Sequence, residues 1–278
     1  MRSALYVPGD APGKLATAVR RDADELIIDL EDAVPPAAKD GARRAVAAWL
    51  GGRGDAPGPR LWVRINAGAV GVRDVRAVAL PGVAGVCVAK TETVRQLEEL
   101  DGLLTGLEKE RGLHGLGVVP LLESADAVLN APALARAPRV VRLQLGEADL
   151  CADLGVEPGP DGRELLLARS RIVLASAAAR IRPPVAPVST DFRDPRALRA
   201  STLAFKRLGF RGRACVHPAQ LPVVNEVFTP SPEEIARARD LVARHDAAMA
   251  DGSGVCLDER GRLVDEAVVR SARRLLAD

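Results

Sequence analysis

Eight short apolar runs, separated by stretches of helical period, constrain this chain more than any other feature. They read SALYV (3–7), ELIIDL (25–30), RLWVRI (60–65), GVCVAK (85–90), LGVVPLLE (116–123), VVRLQLG (140–146), PPVAPVST (183–190) and RACVHP (213–218). Their Val, Ile and Leu residues follow one another without in/out alternation, the pattern of strands buried on both faces. Between them, GKLATAVRRDADEL, AAKDGARRAVAAWL and TVRQLEELDGLLTGLEKERG place apolar residues at i, i+3, i+4 spacing. PRALRASTLAFKRLG is bounded by Asp194 and Gly209 as helix caps. Strand–helix alternation predicts an α/β fold with a parallel sheet, and about eight such units is the count of a (β/α)8 TIM barrel. A doubly wound open sheet is the rival, but no G-x-G-x-x-G follows the first strand.

After Phe228 the texture changes. Ser231 and Pro232, followed by Glu233 and Glu234, read as a cap and first helical turn. GSGVCLDERGRLVDEAVVRSARRLLAD then reads as a turn-rich or hairpin piece and a last helix. The expected division is a barrel domain over 1–228 and a C-terminal helical extension over 229–278 that covers something.

Composition excludes several classes. With 47% apolar residues over 278 positions, a sizeable core forms without disulfides or a structural metal. Aromatics are only 3%, so that core must be mostly Ala, Val, Leu and Ile. A net charge of +2 gives no electrostatic case for nucleic acid. Cys87, Cys151, Cys215 and Cys256 form no C-x-x-C pair and read as reduced thiols. The apolar stretch before Pro8 is too short for a signal-peptide core, and no run approaches a membrane span. The expectation is a cytoplasmic protein with no membrane partner.

The polar residues at the ends of the runs carry the functional argument. ELIIDLEDAV mixes apolar residues with Glu25, Asp29, Glu31 and Asp32, and in a barrel its carboxylates belong to the mouth. Arg64 and Asn66 stand at the carboxyl end of the third run, Lys90 and Glu92 at that of the fourth, and Glu123 and Ser124 at that of the fifth. Glu147 and Asp149 follow the sixth, Thr190 and Asp191 the seventh, and His217 stands in the eighth. Any one of these groups could simply cap the next helix. Together they would repel one another unless a metal sat among them, and the usual arrangement for a hard divalent ion is one or two carboxylates with waters and substrate oxygens. Only three histidines exist, with no H-x-x-x-H or H-E-x-x-H, which argues against zinc.

RSALYVPGD, ELIIDLEDAV with Lys39 and Arg43 after it, WVRINA, PLLESADAV, LQLGEADLCADLG and CVHPAQ occur in that order. This pattern, from Arg2 to about Ala236, resembles the citrate lyase β-subunit-like branch of the HpcH/HpaI aldolase family. The resemblance implies a Mg2+-dependent carbon–carbon lyase acting on a small 3-hydroxy-acid coenzyme A thioester such as malyl-CoA or citramalyl-CoA. The products would be acetyl-CoA and a keto acid, glyoxylate or pyruvate, with thioesterase activity as a variant outcome. The rivals are a citrate lyase β subunit acting on an acyl-carrier-protein thioester and a non-catalytic keto-acid-binding barrel.

Carried over residue by residue, Glu123 and Asp149 match the Mg2+ ligands, and Arg64 matches the arginine that binds the keto-acid portion. Asp29, Glu31 and Asp32 match an acidic group that holds metal-bound waters. Lys39 and Arg43 match a basic pair with either a salt-bridge or a coenzyme A role. Asp265 of GRLVD matches an aspartate that transfers a proton in a neighbouring subunit's site, with helix capping as its competitor. The resemblance also implies a homotrimer or hexamer. For His217 a structural role is expected.

Overall fold

Leu26, Ile27 and Ile28 leave no side of their strand free for water, and the structure buries all of them. β2 (Glu25–Asp29) is buried at every position, as is β5 (Gly117–Leu122). With β1 (Ser3–Pro8), β3 (Arg60–Ile65), β4 (Val83–Val88), β6 (Gln144–Leu145) and β7 (Arg213–Cys215) they form a seven-stranded sheet in the order β6-β5-β4-β3-β2-β1-β7. Every pairing is parallel. The structure, a computed structural model, describes residues 1–54 and 56–277.

The helices that follow the strands are α1 (Pro12–Ala18), α2 (Lys39–Arg53), α3 (Gly68–Val78), α4 (Val94–Arg111), α5 (Ala125–Leu129) and α6 (Ala131–Leu134). They continue with α7 (Glu147–Leu154), α8 (Leu166–Ala179), α9 (Pro195–Leu208), α10 (Leu221–Phe228), α11 (Pro232–Ala250) and α12 (Glu266–Ala277). Sequence signals set several boundaries. Thr93 and Gln96 form a capping box on α4, and Gly112 ends it in the left-handed conformation. Asp194 accepts from Arg196 N and Ala197 N at the start of α9, and Gly209 closes it.

Alternate residues of the strands build one inner core: Ala4, Ile27, Trp62, Cys87, Val119 and Leu121, with Tyr6 and Val141 packed against it. Trp62, fully buried, is the one aromatic residue among those six.

Two sequence expectations differ from what is seen. The run 183–190 forms no named strand; it contributes parallel bridges from Val185 to Gln144 and from Ala186 to Arg213, at the two edges of the sheet. Pro183, Pro184 and Pro187 have no N–H to give to a ladder, so pairing is confined to isolated points. Glu25 does not belong with Asp29, Glu31 and Asp32. It opens β2 rather than closing it, and it forms a buried ion pair with Arg142, whose guanidinium lies 5.3 Å from the Trp62 ring centre.

By contacts the chain divides into two compact units, Met1–Glu226 and Val227–Asp278. The second contains α11, an antiparallel pair of short strands, β8 (Cys256–Leu257) and β9 (Leu263–Val264), and α12. Ser231 and Glu234 form the capping box that starts α11, with Pro232 at the first turn. No helix among the described residues is long and apolar enough to cross a membrane.

Candidate active site

Asp29 is the last residue of β2 and Arg64 is its register partner on β3. The pair is bidentate: Arg64 Nε donates to Asp29 Oδ1 at 2.7 Å and Nη2 to Oδ2 at 2.5 Å. Asp29 also accepts from the backbone N–H of Glu31 at 2.9 Å and of Ala33 at 3.2 Å, which turns the chain sharply after the strand. That turn brings Glu31 and Asp32 to the remaining nitrogen of Arg64, Nη1, at 3.1 and 3.4 Å. Burial alone would lower the Arg64 pKa, but the bonds and charge of Asp29 raise it above the ordinary arginine value. The guanidinium carbon sits 5.2 Å from the Tyr6 ring centre, and Gln144 Nε2 donates to the Tyr6 hydroxyl at 2.9 Å.

The residues behind this cluster brace it. Lys39 Nζ donates to the carbonyls of Leu30 at 3.1 Å and Glu31 at 2.9 Å, so it pins the turn, and among the described residues it enters no salt bridge. Arg43 pairs with Asp40 and, through Nε at 2.7 Å, with the buried Asp74, as its salt-bridge reading expects. Asp74 Oδ2 accepts from Asn66 Nδ2, which also donates to Leu30 O at 2.8 Å.

Glu123, immediately after β5, is 6% exposed. Its Oε2 accepts from Lys90 N at 2.6 Å, while Lys90 Nζ donates to Glu31 Oε1 at 2.7 Å. Burial pushes the Glu123 carboxyl up to about 7, with the Lys90 N–H opposing and the charges of Glu31 and Asp149 adding to the rise. Glu31 is raised for the same first reason, burial, against the pull of Lys90. Gly146, just ahead of α7, leaves room for Glu123: a Cβ there would stand 2.6 Å from Oε1. Asp149, exposed in the first turn of α7, completes the set. Tyr6, Asp29, Arg64, Glu123 and Asp149 line one cavity of about 900 Å3.

The structure therefore brings together Asp29, Glu31, Asp32 and Arg64 as one ion network, and Lys90 ties that network to Glu123. Among the described residues, no group of three or more His, Cys, Asp or Glu is arranged to hold a metal by itself. Two carboxylates lining one cavity still suit a hard cation that keeps several waters. Glu123 fits that use: it is buried, and among the described residues none donates to its Oε1.

Asp265 lies in the second unit. Its Oδ1 accepts from Val268 N at 3.0 Å at the start of α12, a helix-capping bond. His217 is structural in the same sense: its Nδ1 accepts from Ala219 N at 3.1 Å, and its ring stacks on Phe192 at 4.5 Å. The sequence reading placed Lys90 at a strand end without giving it a role, and it gave Tyr6, Gln144 and Gly146 none. The cation at a strand end was the available signal for Lys90; Gly146 has no side chain to notice.

A parallel α/β sheet with its acidic and basic groups gathered beyond the carboxyl ends of the strands defines the class of protein. Within that class the chain belongs to the HpcH/HpaI aldolase/citrate lyase family, whose model matches residues 2–218. It is 34% identical to the citrate lyase subunit beta of Leuconostoc mesenteroides subsp. cremoris, over 99% of this chain and 92% of the relative. It is 33% identical to a (3S)-malyl-CoA thioesterase of Cereibacter sphaeroides, over 99% of this chain and 93% of the relative. Among solved structures it is similar to the protein CitE of Mycobacterium tuberculosis in complex with magnesium, acetoacetate and coenzyme A. That similarity has a TM-score of 0.79 at 32% identity and covers 99% of this chain and 97% of the other.

Proposed function

We propose that this protein is a Mg2+-dependent carbon–carbon lyase for a small 3-hydroxy-acid coenzyme A thioester, malyl-CoA or citramalyl-CoA. The products are acetyl-CoA and glyoxylate or pyruvate. The observation that carries the reading is Glu123, a buried carboxylate with one oxygen held and the other open, on the same cavity as Asp149 and Arg64. Glu123 and Asp149 would hold the ion, with Glu31 and Asp32 as the acidic groups beside it; Asp29, whose two oxygens already take four donors, instead fixes Arg64. Bound there, the ion supplies Lewis acidity to the substrate oxygen that becomes a carbonyl.

The chain's own groups do the rest. Asp29 occupies the Nε/Nη2 edge of Arg64, so the substrate's carboxylate or carbonyl oxygen meets the Nη1 side, in exchange for the contacts to Glu31 and Asp32. That orients the keto-acid portion and fixes which carbon–carbon bond faces the acidic cluster. We assign proton transfer to Asp265 supplied by a neighbouring subunit of a homotrimer or hexamer; this assignment rests on the resemblance of GRLVD. In the same reading the sheet is a (β/α)8 barrel with residues 185–186 standing in for a strand, the C-terminal extension packs on the neighbouring subunit, and the protein works in the cytoplasm.

A thioesterase outcome on the same site is the second reading, favoured by the malyl-CoA thioesterase relative. Mass-spectrometric product analysis with malyl-CoA and citramalyl-CoA, with Mg2+ or chelator, separates the two. Acetyl-CoA plus a keto acid appearing only with Mg2+ is the expected result. Free coenzyme A with intact malate or citramalate means a thioesterase. No product from either substrate rejects both and points to a carrier-protein substrate or to a barrel that binds without turnover.

A further inference from the structure

We infer that Lys90 is the positioning residue of the cation site: its backbone, left-handed at this residue, gives one N–H to Glu123, and its ammonium holds that backbone in place through Glu31. The inference rests on the reading that Glu123 takes a divalent cation. Lys90 has φ +53°, a conformation shared among the described non-glycine residues only by Arg139 and Arg180. On either side the backbone is still tied to the sheet, with Ala89 N on Ile65 O at 3.4 Å and Thr91 N on Leu121 O at 3.2 Å. Between those two bonds the N–H of Lys90 leaves the ladder and donates to Glu123 Oε2 at 2.6 Å, and the positive φ at Lys90 returns the following chain to the sheet at Thr91.

The side chain explains why a lysine stays in that conformation. Nζ reaches Glu31 Oε1 at 2.7 Å and lies 3.8 Å from Asp32 Oδ1, and both carboxylates are anchored in turn by Arg64. On the far side of Glu123, the missing side chain of Gly146 completes the clamp. The carboxylate is held through Oε2 by a backbone donor, and Oε1, which a Cβ on Gly146 would crowd to 2.6 Å, stays available to the cavity. One residue thus fixes two acids through two different groups.

The test is Mn2+ binding by isothermal titration of the full-length protein, with thermal melting as a check of folding. Lys90→Ala loses the tether but keeps a Cβ that disfavours positive φ. Lys90→Gly loses the tether and has no such preference. Lys90→Asn, whose residue type tolerates the left-handed region, is a second variant should the glycine variant fold poorly. The expected order of affinity is wild type, then Gly and Asn, then Ala, with the Gly–Ala gap about fivefold or more.

Ala binding as tightly as Gly would overturn the inference, because a lost ammonium alone affects both alike. Lys90→Ala binding as tightly as wild type would overturn it too. Gly146→Ala should weaken Mn2+ binding by displacing the Glu123 carboxylate even with Lys90 intact, and undiminished affinity in that variant would count against the clamp. If the wild-type protein binds no Mn2+, the cation reading itself falls and takes this inference with it; if it binds and only the order fails, that reading stands.

Discussion

β2 begins and ends with a carboxylate bound to an arginine, and the two pairs have opposite fates. Glu25 meets Arg142 where both side chains are 2% exposed, and among the described residues no other carboxylate forms a salt bridge with Arg142. Asp29 meets Arg64 about 13 Å along the same strand, by its rise per residue, and there Glu31 and Asp32 crowd onto the same guanidinium. The first pair is balanced and shut inside the protein. The second has more acid than base and borders a cavity. What separates the two pairs is the surplus of charge around the second and the space left beside it, since the pairing chemistry is the same.

Removing surplus acid should have the largest effect and leave the fold alone. Glu123→Gln and Asp149→Asn are each expected to bring Mg2+-dependent turnover to background with a melting temperature close to wild type. Normal turnover in either variant would remove that residue from the proposed site. At the balanced end the effect should fall on stability. Glu25→Ala leaves Arg142 buried without its partner, and urea unfolding should show a loss of about 3–5 kcal/mol. Replacing both, as Glu25→Met with Arg142→Met, should recover most of that loss; a double variant no better than the single one would mean that the pair has a role beyond charge compensation.

A smaller effect sharpens the contrast through pH. In the metal-free protein Glu123 titrates near 7, above its unfolded value of about 4.5, and burial is the main cause. A group raised in this way contributes stability that is fully present below about pH 4.5 and is lost as pH rises through about 7. The chelator-treated protein should therefore melt progressively lower between pH 5 and 8, and the rise in melting temperature on adding Mg2+ should be larger at pH 8 than at pH 5.5. A Mg2+ shift that does not change with pH would break the link between that carboxylate and the ion. The smallest expected change lies outside both pairs: Ser231→Ala removes the capping box of α11 and should cost about 1 kcal/mol in thermal or chemical unfolding.

Much of this organisation was legible in the sequence because it depends on local patterns. Uninterrupted Val, Ile and Leu gave the strands; Asp194 and Ser231 marked helix starts where the structure has them. The positions of Asp29, Arg64, Glu123 and Asp149 at or just beyond the carboxyl ends of strands were enough to place them on one cavity. Other features depend on distance in the chain. Glu25 looks like its neighbours in ELIIDLEDAV until Arg142, 117 residues away, claims it. Lys90 meets Glu123 through its backbone N–H, and Gly146 has Glu123 standing where a side chain would be. The prolines of PPVAPVST were visible, yet the apolar count outweighed them in reading that run as a strand.

The sheet order has a consequence for synthesis. Leu5 of β1 pairs on one side with Leu26 and on the other with Cys215. At roughly 5–20 residues per second, ribosomal elongation takes on the order of 10–40 s to cover the 210 residues between Leu5 and Cys215. Throughout that interval one edge of the first strand has no partner from its own chain. Asp29, Arg64, Lys90, Glu123 and Asp149 all emerge before the interval ends. The nascent protein can therefore assemble its cluster of acids and bases before the edge beside β1 is covered, and that edge is the place where another chain would interfere with its birth.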